Sequence, residues 1–277
     1  LRKHRFFYET LFQTRHRLKA VGYAAAALPR NLNFGEYPAR TWASSLVGLM
    51  GLPCNYLKNP RVPVMMTGDE VPLFSDMELR EFLVHGMILD GEAAYSLSER
   101  GFDNELGVHV RQWNGKRVSG ELRGDLFMRG GDRYFELKPL NPRVSVDSQL
   151  IHQPFGGSAN HETLGPGAVT YENIHGGRVA IFAGTPGEPG YNGFSFLNET
   201  RKKQLVAMLE YVCKGRLDFY YPGDAEIFLK YGKLDNHTYF LSLLNLGLDE
   251  LEEIPLNSGH KLNSVELLEP AGSWRNV

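Results

Sequence analysis

The chain has 277 residues, 42% apolar, 22% charged and 12% aromatic, with 30 Lys+Arg against 32 Asp+Glu and a net charge of −2. Those fractions exclude a disordered, collagen-like or coiled-coil chain, and the scattered basic residues form no nucleic-acid-binding face. Apolar runs such as Ala24 to Pro29 and Leu46 to Pro53 fall far short of the ~18 residues a membrane span needs. Two cysteines, Cys54 and Cys213, make neither a disulfide framework nor a zinc ribbon.

Phe7, Leu11 and Leu18 lie close to a 3.6-residue period and predict a helix over 3–18. The first residues carry no Met and no apolar signal region, and the last ones stop within a strand pattern, so we expect an excised piece of a longer protein. From residue 19 short apolar runs alternate with amphipathic stretches. Lys19 to Ala27 reads as one buried strand ended by Leu28-Pro29. Residues 38–51 follow helical spacing through Trp42, Leu46 and Leu49 and stop at Gly51, a usual residue after a helix. Strands are predicted at 52–57, 62–66 and 87–89. The helix between the last two begins at Ser75-Asp-Met-Glu78, a capping box, and Gly86 follows its last turn. Asp90-Gly91 then turns the chain into a helix over 92–100, closed by Gly101. Such alternation argues for a parallel sheet wrapped by helices.

Between 107 and 140 the pattern changes to short antiparallel strands at 108–111, 119–122 and 134–137, inserted into the sheet or flanking it. Residues 152–166 are polar and rich in Gly and Pro, hence loop. The runs Val169 to Asn173 and Arg178 to Ala183 around His175-Gly-Gly177 predict a hairpin. Asn198 caps a helix over 199–214 with a stripe of Leu205, Val206, Leu209 and Val212, ended by Gly215. Beyond Pro222 the helices disappear, and strands at 225–231, 239–245, 251–255 and 265–268 read as a sandwich-like all-β module.

The stretch from Met87 to Gly101, followed by Leu106-Gly107-Val108 and by Gly167 to Ala180, resembles the middle domain of beta-galactosidase-type glycoside hydrolases. That is the trimerisation domain, with a class I glutamine amidotransferase-like fold. The resemblance implies an α/β fold: a flavodoxin-like or amidotransferase-like parallel sheet with inserted β segments, followed by a small all-β module. It divides the chain into a helix at 1–18 from a preceding domain or linker, an α/β domain at 19–215 and a β module at 216–277. It also implies a catalytic barrel earlier in the same chain, self-association as a trimer, and an accessory role in a protein acting on carbohydrate.

A working amidotransferase carries Cys or Ser on a sharp strand-to-helix turn. Here the turn after strand 87–89 holds Asp90, Gly91 and Glu92, so no catalytic nucleophile is expected. Cys54 and Cys213 read as inert core thiols. Asp69 and Glu70 follow strand 62–66, and Asp90 and Glu92 follow strand 87–89, at the carboxyl ends where open α/β sheets bind ligands. These four are a candidate remnant ligand site, suited to acid–base work or to a shared cation. The structural alternative is that they cap turns and first helical turns. Adjacent Asp69 and Glu70 point to opposite sides of an extended chain. His152, His161 and His175 match no metal-ligand spacing, and Gly184 to Gly190 lacks the Gly-Lys-Ser/Thr of a phosphate loop. No metal and no cofactor are therefore expected. Arg201-Lys202-Lys203 reads as a solvated face. Trp113, Trp274 and Phe219-Tyr220-Tyr221 are candidate sugar platforms, since ring faces stack on pyranose C–H surfaces. Three functions compete: accessory region, independent hydrolase using the carboxylates near 69–92, and carbohydrate-binding module acting through the β segment.

Overall fold

The computed structural model describes residues 5–15, 17–21, 24–29, 47–48, 50–58, 60–128, 133–153, 161–185 and 198–277. Most of the helix predicted at 38–51 and of the loop at 184–190 lies outside them. The chain opens with α1 (Arg5–Arg15), β1 (Lys19–Val21), β2 (Ala24–Leu28), β3 (Cys54–Lys58) and β4 (Val64–Met66). It continues through α2 (Asp76–His85), β5 (Met87–Leu89), α3 (Gly91–Glu99) and α4 (Asp103–Leu106). A β-rich excursion follows: β6 (Val108–Gln112), β7 (Gly120–Arg123), β8 (Leu126–Met128), β9 (Phe135–Pro139), β10 (Ser145–His152) and β11 (Glu162–Glu172). The chain then returns through β12 (Arg178–Phe182) and α5 (Glu199–Val212). It finishes with β13 (Phe219–Tyr220), β14 (Ile227–Lys233), β15 (Tyr239–Asn245), β16 (Asn257–Ser258), β17 (Glu266–Leu268) and β18 (Trp274–Asn276).

The fold is mixed α/β, built on a 9-stranded sheet of order β3-β2-β4-β5-β12-β11-β10-β7-β8. The half from β3 to β12 is parallel. The half from β12 to β8 is antiparallel, so the sheet is mixed rather than parallel throughout. The antiparallel half is the excursion between α4 and β12, which folds back beside β12 instead of standing apart. β6 and β9 pair with each other as a ribbon, which touches the main sheet where Phe135 N donates to Ala183 O at 2.8 Å.

Apart from Arg178 at the start of β12, strands β4, β5 and β12 are apolar throughout because both their faces are covered. Met65, Ile88, Ala180 and Phe182 face one cluster, with Leu205, Met208, Leu209 and Val212 of α5. Val64, Met66, Met87, Leu89, Val179 and Ile181 face the other, with Leu79, Phe82 and Leu83 of α2 and Ala93, Ala94 and Leu97 of α3. The capping box at α2 is formed: Glu78 N donates to Ser75 Oγ at 3.4 Å, and Ser75 N donates to Glu78 Oε2 at 2.9 Å. Asn198 caps α5 by accepting from Arg201 N at 2.9 Å. At the far end of α5 the left-handed position is Lys214, at φ 57°, rather than Gly215.

Further sequence expectations are corrected. The run 19–27 is two strands, and β1 leaves the main sheet to pair antiparallel with β14, Val21 opposite Tyr231. Residues 162–166 belong to β11, where Gly165 and Pro166 sit beside register shifts that tolerate them. Residues 251–255 form no strand, since Pro255 lacks an N–H and no neighbouring strand pairs with them. The C-terminal strands make small sheets of three, two and two strands, and Phe219, Leu229 and Tyr231 share the cluster that holds α5.

Another correction concerns the basic run. Arg201 and Lys202 are buried rather than solvated, and Arg201 is only 1% exposed. Arg201 Nη2 donates to Glu121 Oε2 at 2.6 Å and Nη1 to Glu121 Oε1 at 3.2 Å, while its guanidinium lies 5.2 Å over the Phe182 ring. Gln204 Nε2 donates to Asp147 Oδ2 at 2.7 Å and to Ser148 Oγ at 3.2 Å, and the Ser148 hydroxyl donates to Glu121. This network fastens α5 to β7 and β10. Lys202 lies 4.6 Å over the Tyr221 ring and donates to Gly223 O, with burial lowering its pKa to about 8. Arg201→Met would leave the Glu121 carboxylate buried without its counter-charge, at a cost of about 3–5 kcal/mol. Urea unfolding should read that loss, and Glu121→Leu combined with Arg201→Met should recover most of it.

Candidate functional site

The carboxyl ends of β4 and β5 lie side by side, Met66 opposite Leu89. The chain leaves β4 through Thr67-Gly68-Asp69-Glu70 and leaves β5 through Asp90-Gly91-Glu92. Asp69 faces solvent, whereas Glu70 is 1% exposed and accepts from Thr67 N at 2.8 Å and Thr67 Oγ1 at 3.1 Å. Residues 68–70 form a turn, with Glu70 at φ −86° and ψ −29°, rather than the extended chain on which opposite sides were expected. Asp90, 3% exposed, is the N-cap of α3 and accepts from Ala93 N at 2.7 Å. Glu92 stands two residues on, half-buried, and Arg133 Nη1 donates to its Oε1 at 2.7 Å. Glu70, Asp90 and Glu92 thus come together, and Asp69 stays apart.

Two glycines set how tightly this corner closes. A Cβ on Gly91 would lie 2.3 Å from Ala183 O, and one on Gly68 would lie 2.1 Å from Glu92 Cγ. Because neither has a side chain, Gly91 N reaches Gly184 O at 3.3 Å and α3 seats directly over the end of β12. Asp90 has ordinary extended dihedrals, φ −79° and ψ 172°, so the turn is a capped helix start and not a strained elbow.

Burial dominates the electrostatics of Asp90. Loss of solvent pushes its pKa up to about 8, against the hydrogen bond from Ala93, and the charges of Glu92 and Glu70 push the same way. Burial therefore favours the protonated carboxyl, which accepts from Ala93 N as the cap of α3.

The other candidates resolve individually. Both cysteines are free thiols; Cys54 is buried, and burial pushes Cys213 up to about 12, far from a reactive thiolate. His152 Nδ1 lies 2.8 Å from Arg117 O, and His161 and His175 are exposed. Among the described residues no group of three or more His, Cys, Asp and Glu is placed to hold a metal ion, and no helix is long and apolar enough to cross a membrane. Phe219 and Tyr221 are buried; Phe219 sits edge-on to Tyr231 and Tyr239. Tyr220 is half-buried, with its hydroxyl accepting from Asn257. Trp274 is partly exposed and edge-on to Phe240. Trp113 lies half-buried in the turn after β6.

Sequence reasoning missed a Ser–His–Asp cluster. Ser98 donates to Asp103, and His109 Nδ1 lies 2.7 Å from Asp103 Oδ2 and 3.3 Å from Ser98 Oγ. A catalytic triad places Ser and Asp on different ring nitrogens. Here one nitrogen faces both, and Ser98 also accepts from Val110 N at 3.1 Å, so the cluster ties α3, α4 and β6 together.

The raised Asp90 pKa has a defined sign. Below about pH 4 the folded and unfolded chains both hold the proton. Between there and about 8 only the folded chain holds it, so this contribution to stability falls as pH rises and levels off above about 8. Asp90→Asn keeps the cap, because Asn serves there as well as Asp, and removes the titration. Urea unfolding should therefore show the variant gaining on the wild type steadily from pH 4 to 8, to within about a pH unit. Parallel stability curves would contradict a buried, protonated Asp90.

No protein-family profile matches the chain, and no curated protein matches it significantly. Among solved structures it is similar to Gan42B, a GH42 beta-galactosidase, with TM-score 0.45 and 8% identity over 85% of this chain and 40% of that one. A catalytic mutant of Gan42B from G. stearothermophilus gives TM-score 0.44 and 9% identity over 81% of this chain and 39% of that one. The likeness is coarse, and the chain spans about 40% of the length of these neighbours.

Proposed function

We propose that the chain is a non-catalytic accessory and self-associating region of a glycoside hydrolase-related protein that acts on carbohydrate. In this reading residues 19–215 are a flavodoxin-like or amidotransferase-like domain and 216–277 a β module, with a catalytic barrel elsewhere in the parent protein. The observation that carries it is the closed corner at the strand ends, where an amidotransferase would hold its nucleophile. Asp90 caps a helix there, Glu70 bonds its own turn and Glu92 pairs with Arg133. The order β3-β2-β4-β5-β12 supports the domain reading, because numbered by their own sequence these strands run 2-1-3-4-5, as in flavodoxin-like sheets. Self-association is supported by Phe6 and Tyr8 exposed on α1 and by Leu126 and Phe127 exposed on the edge strand β8.

An independent hydrolase remains the second reading, favoured by one feature: a carboxyl protonated near neutrality is what a general acid needs. Chromogenic aryl glycosides decide between them. The purified chain should not turn them over, with or without Asp90→Asn and Glu92→Gln; turnover abolished by those substitutions would make the chain the enzyme. Sedimentation at micromolar concentration should show more than monomer, and a clean monomer would contradict self-association by these residues.

A further inference from the structure

Away from the strand-end corner, α3, the β6–β9 ribbon, the turn after β6 and the start of β11 enclose an open cleft of about 710 Å³. That lies within the range of about 300–1,000 Å³ usual for small-molecule sites. Its aromatic walls are Tyr95 and Trp113. The indole is held in place: Trp113 Nε1 donates to Lys116 O at 2.8 Å, and Gly115 packs against the ring closely enough that a Cβ there would lie 3.1 Å from Cζ2. The turn itself is pinned to β11 by the 2.6 Å pair between Lys116 and Glu162. Tyr95 stacks on Phe135 with centroids 5.4 Å apart and rings 28° from parallel. Both rings are fixed before any ligand arrives, which lowers the ordering cost of binding.

The polar lining is of a different kind. Glu99, Arg111, Gln112 and Glu136 line the cleft, and among the described residues their side chains have no hydrogen-bond or ion-pair partner. Arg111 and Glu136 face each other across the ribbon register without pairing. The cleft thus offers carboxylate acceptors, a guanidinium donor and an amide that does both. Its acidic and basic groups nearly balance, so it has little pull on phosphate or on a polycation.

We propose that this cleft binds a neutral saccharide, with a pyranose face on Trp113 and its hydroxyls on Glu99, Arg111, Gln112 and Glu136. Vicinal hydroxyls each donate and accept, which matches mixed carboxylate, guanidinium and amide partners better than any single charge does. The assignment does not rest on the accessory reading: a chain that hydrolyses glycosides, and one that does not, could each hold a sugar here.

Saturation-transfer NMR and calorimetric titration of the full chain with lactose, cellobiose and maltose test it, with glucose 6-phosphate as the charged control. At least one neutral disaccharide should bind. Trp113→Ala should weaken it about tenfold, and Trp113→Phe should retain most of the affinity. Glu136→Gln, an exposed change that leaves the fold intact, should also weaken binding and serves if Trp113→Ala fails to fold. Absence of binding by all three disaccharides would overturn the proposal. So would affinity unchanged in folded Trp113→Ala and Glu136→Gln, or binding of glucose 6-phosphate alone.

Discussion

The backbone approach of Gly91 to the end of β12 constrains everything around the carboxylates. A residue with any side chain at 91 would collide with Ala183 O, so only glycine lets α3 start in contact with Ala183 and Gly184. That contact closes the strand ends between β5 and β12. It also strips water from Asp90, whose protonation near neutral pH follows from burial more than from its neighbours. Glu70 and Glu92 meet the same enclosure differently, Glu70 by folding back on Thr67 and Glu92 by pairing with Arg133 at the rim.

A second constraint acts on the opposite face. Arg201 and Glu121 are too deeply buried to leave water singly, so they do so as a bidentate pair, with Gln204 and Ser148 both donating to Glu121 Oε1 as well. The pair joins a helix to strands about eighty residues earlier. Because Phe219, Leu229 and Tyr231 pack on the same side as α5, the C-terminal strands are part of that core as well.

Local chemistry made much of the fold legible. Ser75 with Glu78, Asn198, and the Gly-Gly turn at 176–177 each carry their own hydrogen-bonding logic within a few residues. The strand 87–89 and the strand 239–245 were readable at their observed limits, because apolar or β-prone runs ended in turn residues. What the sequence hid depends on distant partners. Arg201 looks solvated beside Lys202 and Lys203, yet it lies four residues before Leu205 and seven before Met208, on the buried stripe. That spacing was the available signal, while its partner Glu121 left none. The split of 19–27 was hidden for the same reason, since β1 finds its neighbour only in β14. Of the four carboxylates, their place at the strand ends was readable, but their enclosure depends on Gly91 meeting β12.

The central claim is that Asp90 is buried away from water at the end of β5. The most direct measurement is a pH titration of the Asp90 carboxyl carbon by NMR, assigned against Asp90→Asn. A midpoint near 8 is the result this account predicts. A midpoint near the usual value of about 4 would mean a solvated, ionised Asp90 and an open site, and would contradict it.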